Sequence, residues 1–174
     1  MKHYRQSLAP LIGLNAQILI VGTLPGPLSL RQQAYYAHPR NVFWKIMAEL
    51  LGIDRAASYA ARAAALKKAH IGLWDVCAIA DRKSALDADI DSMSVRANDF
   101  KSLLARYRSI RAIYFNGLKS QELYQRWVQP GLDEDQRALA KAALPSTSPA
   151  HTTVPFASKV DQWRVILSNE GHAA

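Results

Sequence analysis

Apolar positions along the chain fall into two alternating patterns. The continuous aliphatic run at residues 17–21 (Gln-Ile-Leu-Ile-Val) predicts a strand buried on both faces, as in a parallel sheet, and the short stretches 71–76 (Ile-Gly-Leu-Trp-Asp-Val) and 110–115 predict two further strands. Between them the spacing turns helical. Val42, Phe43, Ile46, Met47, Leu50 and Leu51 share one face, with Pro39 placed as a first helical residue and Gly52 as the stop. An alanine-rich helix is predicted over 55–68, with its basic residues exposed. A third runs to Tyr107 from a cap at Asn98 or Asp99, burying Phe100, Leu103 and Leu104. A fourth spans 120–128, and a last one spans 156–168 with Val160, Trp163 and Leu167 as its buried stripe. Residues 81–94 are polar and read as a long loop. Residues 133–144 have helical propensity, yet their end reads as a strand running into a loop at 144–149. Strands alternating with helices predict a three-layer α/β/α sandwich around a short, mostly parallel four-stranded sheet. Neither a repeat nor a linker interrupts the pattern, so one domain over 1–174 is expected. In such folds ligands sit beyond the carboxyl ends of the strands, where three polar loops begin, at 22–29, 116–120 and 145–151.

Composition narrows the function classes. The 174 residues are 49% hydrophobic, which is globular, and 22 Lys and Arg against 14 Asp and Glu leave a net charge of +8. That surplus suits a polyanion such as nucleic acid, although solubility alone also accounts for it. Lys67, Lys68, Arg106, Arg108 and Arg111 are read as a solvated basic surface. A single cysteine, Cys77, rules out an intrachain disulfide and a four-cysteine cluster. The five histidines lack metal-site spacing, so no metal and no cofactor are expected. The first ten residues do not resemble a signal peptide and no apolar run reaches membrane-spanning length, so a cytoplasmic protein without a membrane partner is expected.

Two stretches carry candidate chemistry. The loop Gly22-Thr23-Leu24-Pro25-Gly26-Pro27 follows a strand but matches neither the Walker nor the dinucleotide pattern. It is either a rigid structural turn or a place where backbone approaches a ligand. The run Tyr35-Tyr36-Ala37-His38-Pro39-Arg40-Asn41-Val42-Phe43-Trp44 brings aromatic, cationic and amide groups together. Tyr36 is a candidate to stack on a base, or else an ordinary core aromatic. Asn41 is explained by helix capping alone; inside a first turn begun by Pro39, its amide is instead free to point at the strand ends.

Gly-Thr-Leu-Pro-Gly, Tyr-Tyr-Ala-His-Pro-Arg-Asn-x-Phe-Trp, Leu-Trp-Asp-Val, Phe-Asn-Gly and Leu-Pro-Ser-Thr-Ser-Pro-Ala-His, in this order, resemble the hypoxanthine-DNA glycosylases of the uracil-DNA glycosylase superfamily. The resemblance spans residue 17 to about 163 and implies a uracil-DNA glycosylase-like fold. It implies that Asn41 positions the attacking water, since Leu24 stands where most of the superfamily has a water-orienting Asp or Asn. It further implies that Tyr36 stacks on the extruded base, that Asn116 reads its polar edge, and that residues 146–151 enter the duplex.

The implied activity is a monofunctional DNA glycosylase that flips deaminated bases (hypoxanthine, with uracil or xanthine as secondary substrates) from double-stranded DNA and hydrolyses the N-glycosidic bond. Backbone around Thr23, Leu24 and Gly26 is then the hydrogen-bonding partner of the base. Ser29, Arg40, Ser146, Thr147, Ser148 and His151 are the expected DNA contacts. His38 reads as a structural histidine, and Asp75 as a residue orienting a partner at most. Lys119 and Lys159 matter only if the enzyme is a lyase. A monomer without an obligatory protein partner is expected. The alternatives are a nucleotide- or nucleoside-transforming enzyme using the same crevice, and a non-catalytic DNA-binding module on this fold.

Overall fold

The computed structural model describes residues 4–84 and 86–168. His3 and His172 lie outside them. Four strands make the central sheet: β2 (Ile18–Gly22), β3 (Ile71–Asp75), β6 (Ala112–Asn116) and β7 (Ala140–Leu144), in the order β3-β2-β6-β7 with every pairing parallel. β2, β3 and β6 are buried throughout, as their unbroken apolar runs require. β7 is the edge strand and reads exposed-to-half-buried until Leu144. The helices are α1 (Pro27–Gln32), α2 (Phe43–Leu51), α3 (Tyr59–Lys68), α4 (Phe100–Arg106), α5 (Leu118–Trp127), α6 (Glu134–Ala138), α7 (Phe156–Trp163) and α8 (Val165–Ser168).

Strand alternation divides the core into two. Leu19, Val21, Ile113 and Phe115 face a layer containing Phe100 and Leu103 of α4 and Leu123 and Tyr124 of α5. Ile18, Ile20, Ala112 and Tyr114 face the opposite way, toward Phe43, Ile46 and Met47 of α2, Leu66 of α3 and Val160 and Trp163 of α7. This is the expected three-layer sandwich.

Five details differ from the sequence reading. Two strands that the sequence reading lacks flank the polar 81–94 stretch: β4 (Cys77–Asp81) pairs antiparallel with β1 (Tyr4–Gln6) and with β5 (Arg96–Ala97) in a small second sheet. A 3-10 turn at Asp87–Asp89 follows β4. Residues 133–144 are both helix and strand, α6 closed by an Asp133–Gln136 capping box and then β7. α1 emerges from what reads as the first loop, begun by Pro27. The last helix breaks at Arg164, which shifts the register so that Ile166 is buried and Leu167 only partly so. The fifth is the start of α2, at Phe43 and not at Pro39. His38 O accepts from Asn41 N at 2.8 Å, so Pro39 occupies the second position of a β-turn, which its fixed φ suits equally well.

Ile20 is fully buried in the central strand, whereas Ala142 lies exposed on the edge strand. Ile20→Ala is expected to lower unfolding free energy by about 2–5 kcal/mol and Ala142→Val to change it by less than about 0.5 kcal/mol, measured by urea denaturation.

Candidate active site

The carboxyl ends of the four parallel strands converge on a cavity of about 360 Å³. Its walls are the segment from Gly22 to Ser29, the segment carrying Tyr35, Tyr36, His38, Arg40 and Asn41, the strand ends Asp75 and Asn116, and the loop from Ser146 to Ala150, with Arg82, Leu86 and Asp87 closing one side. A neighbouring hollow shares Leu86, Asp87, Asn116, Ser146, Ser148 and Ala150 with it and holds His151.

The glycine-proline loop is held through its carbonyls. Val76 N and Cys77 N donate to the carbonyls of Gly22 and Thr23 at 2.9 and 3.0 Å. The Arg82 guanidinium donates to the carbonyls of Leu24 and Pro25 at 3.1 and 2.5 Å. Asp87 completes the clamp, accepting from Thr23 Oγ1 at 2.7 Å and lying 3.6 Å from Arg82. Four consecutive carbonyls are therefore engaged. The N–H groups of Thr23, Leu24 and Gly26 have no protein acceptor among the described residues. A loop with satisfied acceptors and free donors is built to receive an electron-rich ligand. The Leu24 side chain is buried in the core and offers nothing to water. Gly22 cannot carry a Cβ, because that atom would overlap the Asp75 carboxylate and lie 3.4 Å from the Tyr36 hydroxyl.

Tyr36 adopts φ of +55°, a left-handed conformation that costs a bulky residue on the order of 1–3 kcal/mol. Its surroundings over-determine that geometry. Ser29 Oγ accepts from Ala37 N at 3.2 Å, Trp44 Nε1 donates to Tyr35 O at 3.0 Å, and the Tyr59 hydroxyl accepts from Tyr35 N at 3.0 Å. Tyr35 is a core residue donating to Ala9 O, whereas Tyr36 lines the cavity with its ring stacked on Phe43 at 4.1 Å. The Tyr36 hydroxyl is buried near the Asn116 amide without reaching hydrogen-bonding geometry with it.

Asn41 also lines the cavity, half-buried, ahead of α2. Its Oδ1 accepts from Phe43 N at 2.9 Å. One lone pair is thus committed to starting the helix, and the other lone pair and the amide protons remain. Val42 N donates to Thr147 O at 3.1 Å, joining this segment to the serine-rich loop.

The remaining expected site residues divide between rim and interior. Asn116 is buried and doubly bonded to Thr147: Oδ1 accepts from Thr147 N and Nδ2 donates to Thr147 Oγ1, both at 2.8 Å. Thr147 is fully buried and Ser29 nearly so; each hydroxyl, expected as a DNA contact, accepts an internal bond, from Asn116 Nδ2 and Ala37 N respectively. Arg40 is exposed at the mouth, and Ser146 and Ser148 are half-buried there. His38 Nδ1 accepts from Arg40 N in the turn, a structural use. Lys159, 4% exposed, donates to the carbonyls of Ser146 and His151 at 2.8 and 2.7 Å and clamps the loop. Lys119 pairs with Glu122. Sequence reading missed Arg82, Asp87 and the part played by Lys159. Each lies in a stretch that reads as polar surface, and nothing local marks a charge that will be buried.

Asp75 is the most perturbed acid of the site. Burial raises its carboxyl to about 7; the Ser7 hydroxyl and Arg82 oppose that rise and Asp87 adds to it. Among the described residues no three His, Cys, Asp or Glu are grouped to hold a metal ion, and no helix is long and apolar enough to cross a membrane.

The model of the uracil DNA glycosylase superfamily matches residues 9–166. The chain belongs to this superfamily. Among relatives, a hypoxanthine DNA glycosylase of Methanosarcina barkeri is 38% identical over 119 residues, which are 68% of this chain and 74% of that one. Another of the same name, from Methanosarcina acetivorans, is 37% identical over 109 residues, 62% of this chain and 68% of that one. A solution NMR structure of a candidate uracil DNA glycosylase from Methanosarcina acetivorans superposes with a TM-score of 0.79 at 29% identity, covering 97% of this chain and 99% of its own. The superfamily fold is therefore the one described here.

A carboxyl whose folded value lies above its unfolded value of 3.8 favours folding only while protonated. Its contribution is full below about pH 4 and is lost as pH rises to about 7, by up to about 4 kcal/mol. Asp75→Asn is accordingly expected to raise the melting temperature at pH 8 and to change it little at pH 4.5. Calorimetry at the two values checks this, and equal shifts at both would contradict the assignment.

Proposed function

We propose that this superfamily member is a monofunctional DNA glycosylase that extrudes deaminated bases, hypoxanthine foremost, from double-stranded DNA and hydrolyses their N-glycosidic bond with a positioned water. The observation that carries the reading is that Asn41, Tyr36 and the donor-rich loop at 23–26 all line one cavity, about 360 Å³ in volume, roomy enough to admit an extruded base. The relatives named as hypoxanthine DNA glycosylases support the choice of base. Extrusion costs a few kcal/mol and least for a poorly paired base, so a deaminated base is favoured before it is read.

As the glycosidic bond breaks, positive charge grows on the sugar and negative charge on the base. Preorganised N–H donors beside the base stabilise the second change without reorganising. Asn41 serves the first. Its carbonyl, already oriented by Phe43 N, holds a water over the anomeric carbon. An amide is too weak a base to take the proton, so its part is placement. Phe43 supports one face of Tyr36, and stacking of the extruded base on this ring is worth about 1–3 kcal/mol. Arg40, Ser146 and Ser148 at the mouth are suited to backbone phosphates, which position without specifying sequence.

Duplexes carrying one inosine, uracil or xanthine are expected to break only after alkali treatment, which reports an abasic product. Asn41→Ala is expected to slow turnover at least 100-fold while duplex affinity changes less than about twofold, with about 1 kcal/mol of stability lost with the bond from Phe43 N. Scission without alkali would instead mean a lyase, and binding without scission a non-catalytic module.

A further inference from the structure

The reaction just described leaves a buried acid of the cavity unused. Asp75 ends β3, is 4% exposed and lines the cavity that takes the base. Its Oδ2 accepts a long hydrogen bond, 3.3 Å, from Ser7 Oγ, and its Oδ1 lies against the bare Cα of Gly22 beside the Tyr36 hydroxyl. A side chain at position 22 would displace this carboxyl, so the loop glycine keeps it at the cavity floor. The groups facing it are Tyr35 and Tyr36 from the segment before α2, Cys77 from β4, and Arg82 and Asp87 beyond β4. Burial pushes Cys77 up to about 12 and raises both tyrosines, so these three stay protonated at neutral pH.

We infer that Asp75 is a catalytic acid, whose carboxyl delivers a proton to N7 of an extruded hypoxanthine as the C1′–N9 bond breaks. This rests on the glycosylase reading above. The electron pair of the breaking bond stays with the base, which gains the Asp75 proton and departs neutral. The water held at Asn41 bonds to C1′ through its oxygen and releases one proton to solvent, from which Asp75 is recharged. N7 is the suitable site because protonating it places charge in the ring that carries N9. A donor works best when its own affinity for protons matches the working pH. The dry floor brings a carboxyl to about 7, where an exposed one would be ionised. Asp87 favours the protonated form and Arg82 the ionised one, and both act on Asp75 through the same clamp that holds the loop.

The test is single-turnover cleavage of an inosine duplex from pH 5.5 to 9. Wild-type protein is expected to lose rate about tenfold per pH unit above about 7. Asp75→Asn, which keeps shape and hydrogen bonds but has no proton to give, is expected to be about 100-fold slower at pH 6.5 and insensitive to pH. Asp75→Glu is expected to recover part of the rate together with the alkaline limb, which a purely structural role would not restore. A melting curve of Asp75→Asn at pH 8 separates lost chemistry from lost folding. An Asp75→Asn rate within threefold of wild type, with the same alkaline limb, overturns the acid while leaving the glycosylase intact. Failure of the wild-type protein to cleave any deaminated-base duplex overturns the glycosylase reading itself.

Discussion

A parallel sheet delivers the last residue of every strand to the same edge, and here those residues are Gly22, Asp75, Asn116 and Leu144. The pairing register sets them side by side, Gly22 opposite Asp75 and Asn116 opposite Leu144. Everything else in the site follows from that alignment. Gly22 gives up its side chain to Asp75, Asn116 gives both ends of its amide to Thr147, and the three loops leaving this edge close around the space between. The sandwich layers supply the rigidity: β2, β3 and β6 are sealed on both faces by apolar packing, so this part of the edge has little freedom to spread.

Holding the loops is left to buried charges. Arg82 braces the glycine-proline loop through two carbonyls, and Lys159 braces the serine-rich loop through two more. Burying such cations is expensive and rarely a net source of stability. The return is in orientation. A guanidinium or ammonium that has lost its water is repaid only by acceptors in the right places, so each clamp enforces one loop conformation. By consuming carbonyls the Arg82 clamp also leaves the donor side of the first loop available to an electron-rich ligand. The strained backbone of Tyr36 belongs to the same economy: three hydrogen bonds on its neighbours hold a conformation that the residue alone would abandon.

The layers and the strand order were readable because aliphatic runs and helical spacing report burial directly. The loops that would meet at the strand ends were readable for the same reason, whereas the grouping of Asn41, Tyr36 and Asn116, which line one cavity, came from the motif resemblance and not from patterning. What escaped depends on tertiary partners. Arg82 sits in a polar stretch, and only the distant carbonyls of Leu24 and Pro25 turn it into a core residue. β5 is only two residues and β4 follows β3 after a single residue, so neither stands out as a separate strand, and their sheet is completed by β1 pairing with β4 from across the sequence. Pro39 fits a helix start and a β-turn equally well, and the choice was made by Asn41 N reaching His38 O. Asp75 drew little weight because a lone carboxylate after a strand is ordinary, and its perturbation comes entirely from what surrounds it.

In the mechanism proposed above, Asn41 and Asp75 divide the reaction between them in a way that neither residue type alone permits. An amide cannot accept or give a proton usefully, but it holds a water without competing for charge. A carboxyl at an exposed position would be ionised and would repel a base acquiring negative charge. Lodged in the dry floor it is neutral often enough to act, and its proton removes the charge that the backbone donors otherwise carry alone. The two groups therefore belong at opposite sides of the scissile bond, one toward the sugar and one toward the base. The fold draws them to one cavity from different places, Asn41 from a turn ahead of α2 and Asp75 from the end of a central strand. Discrimination then has a chemical component besides shape. A purine with a basic ring nitrogen next to the breaking bond is helped by the acid, whereas a base lacking it depends on the loop amides only.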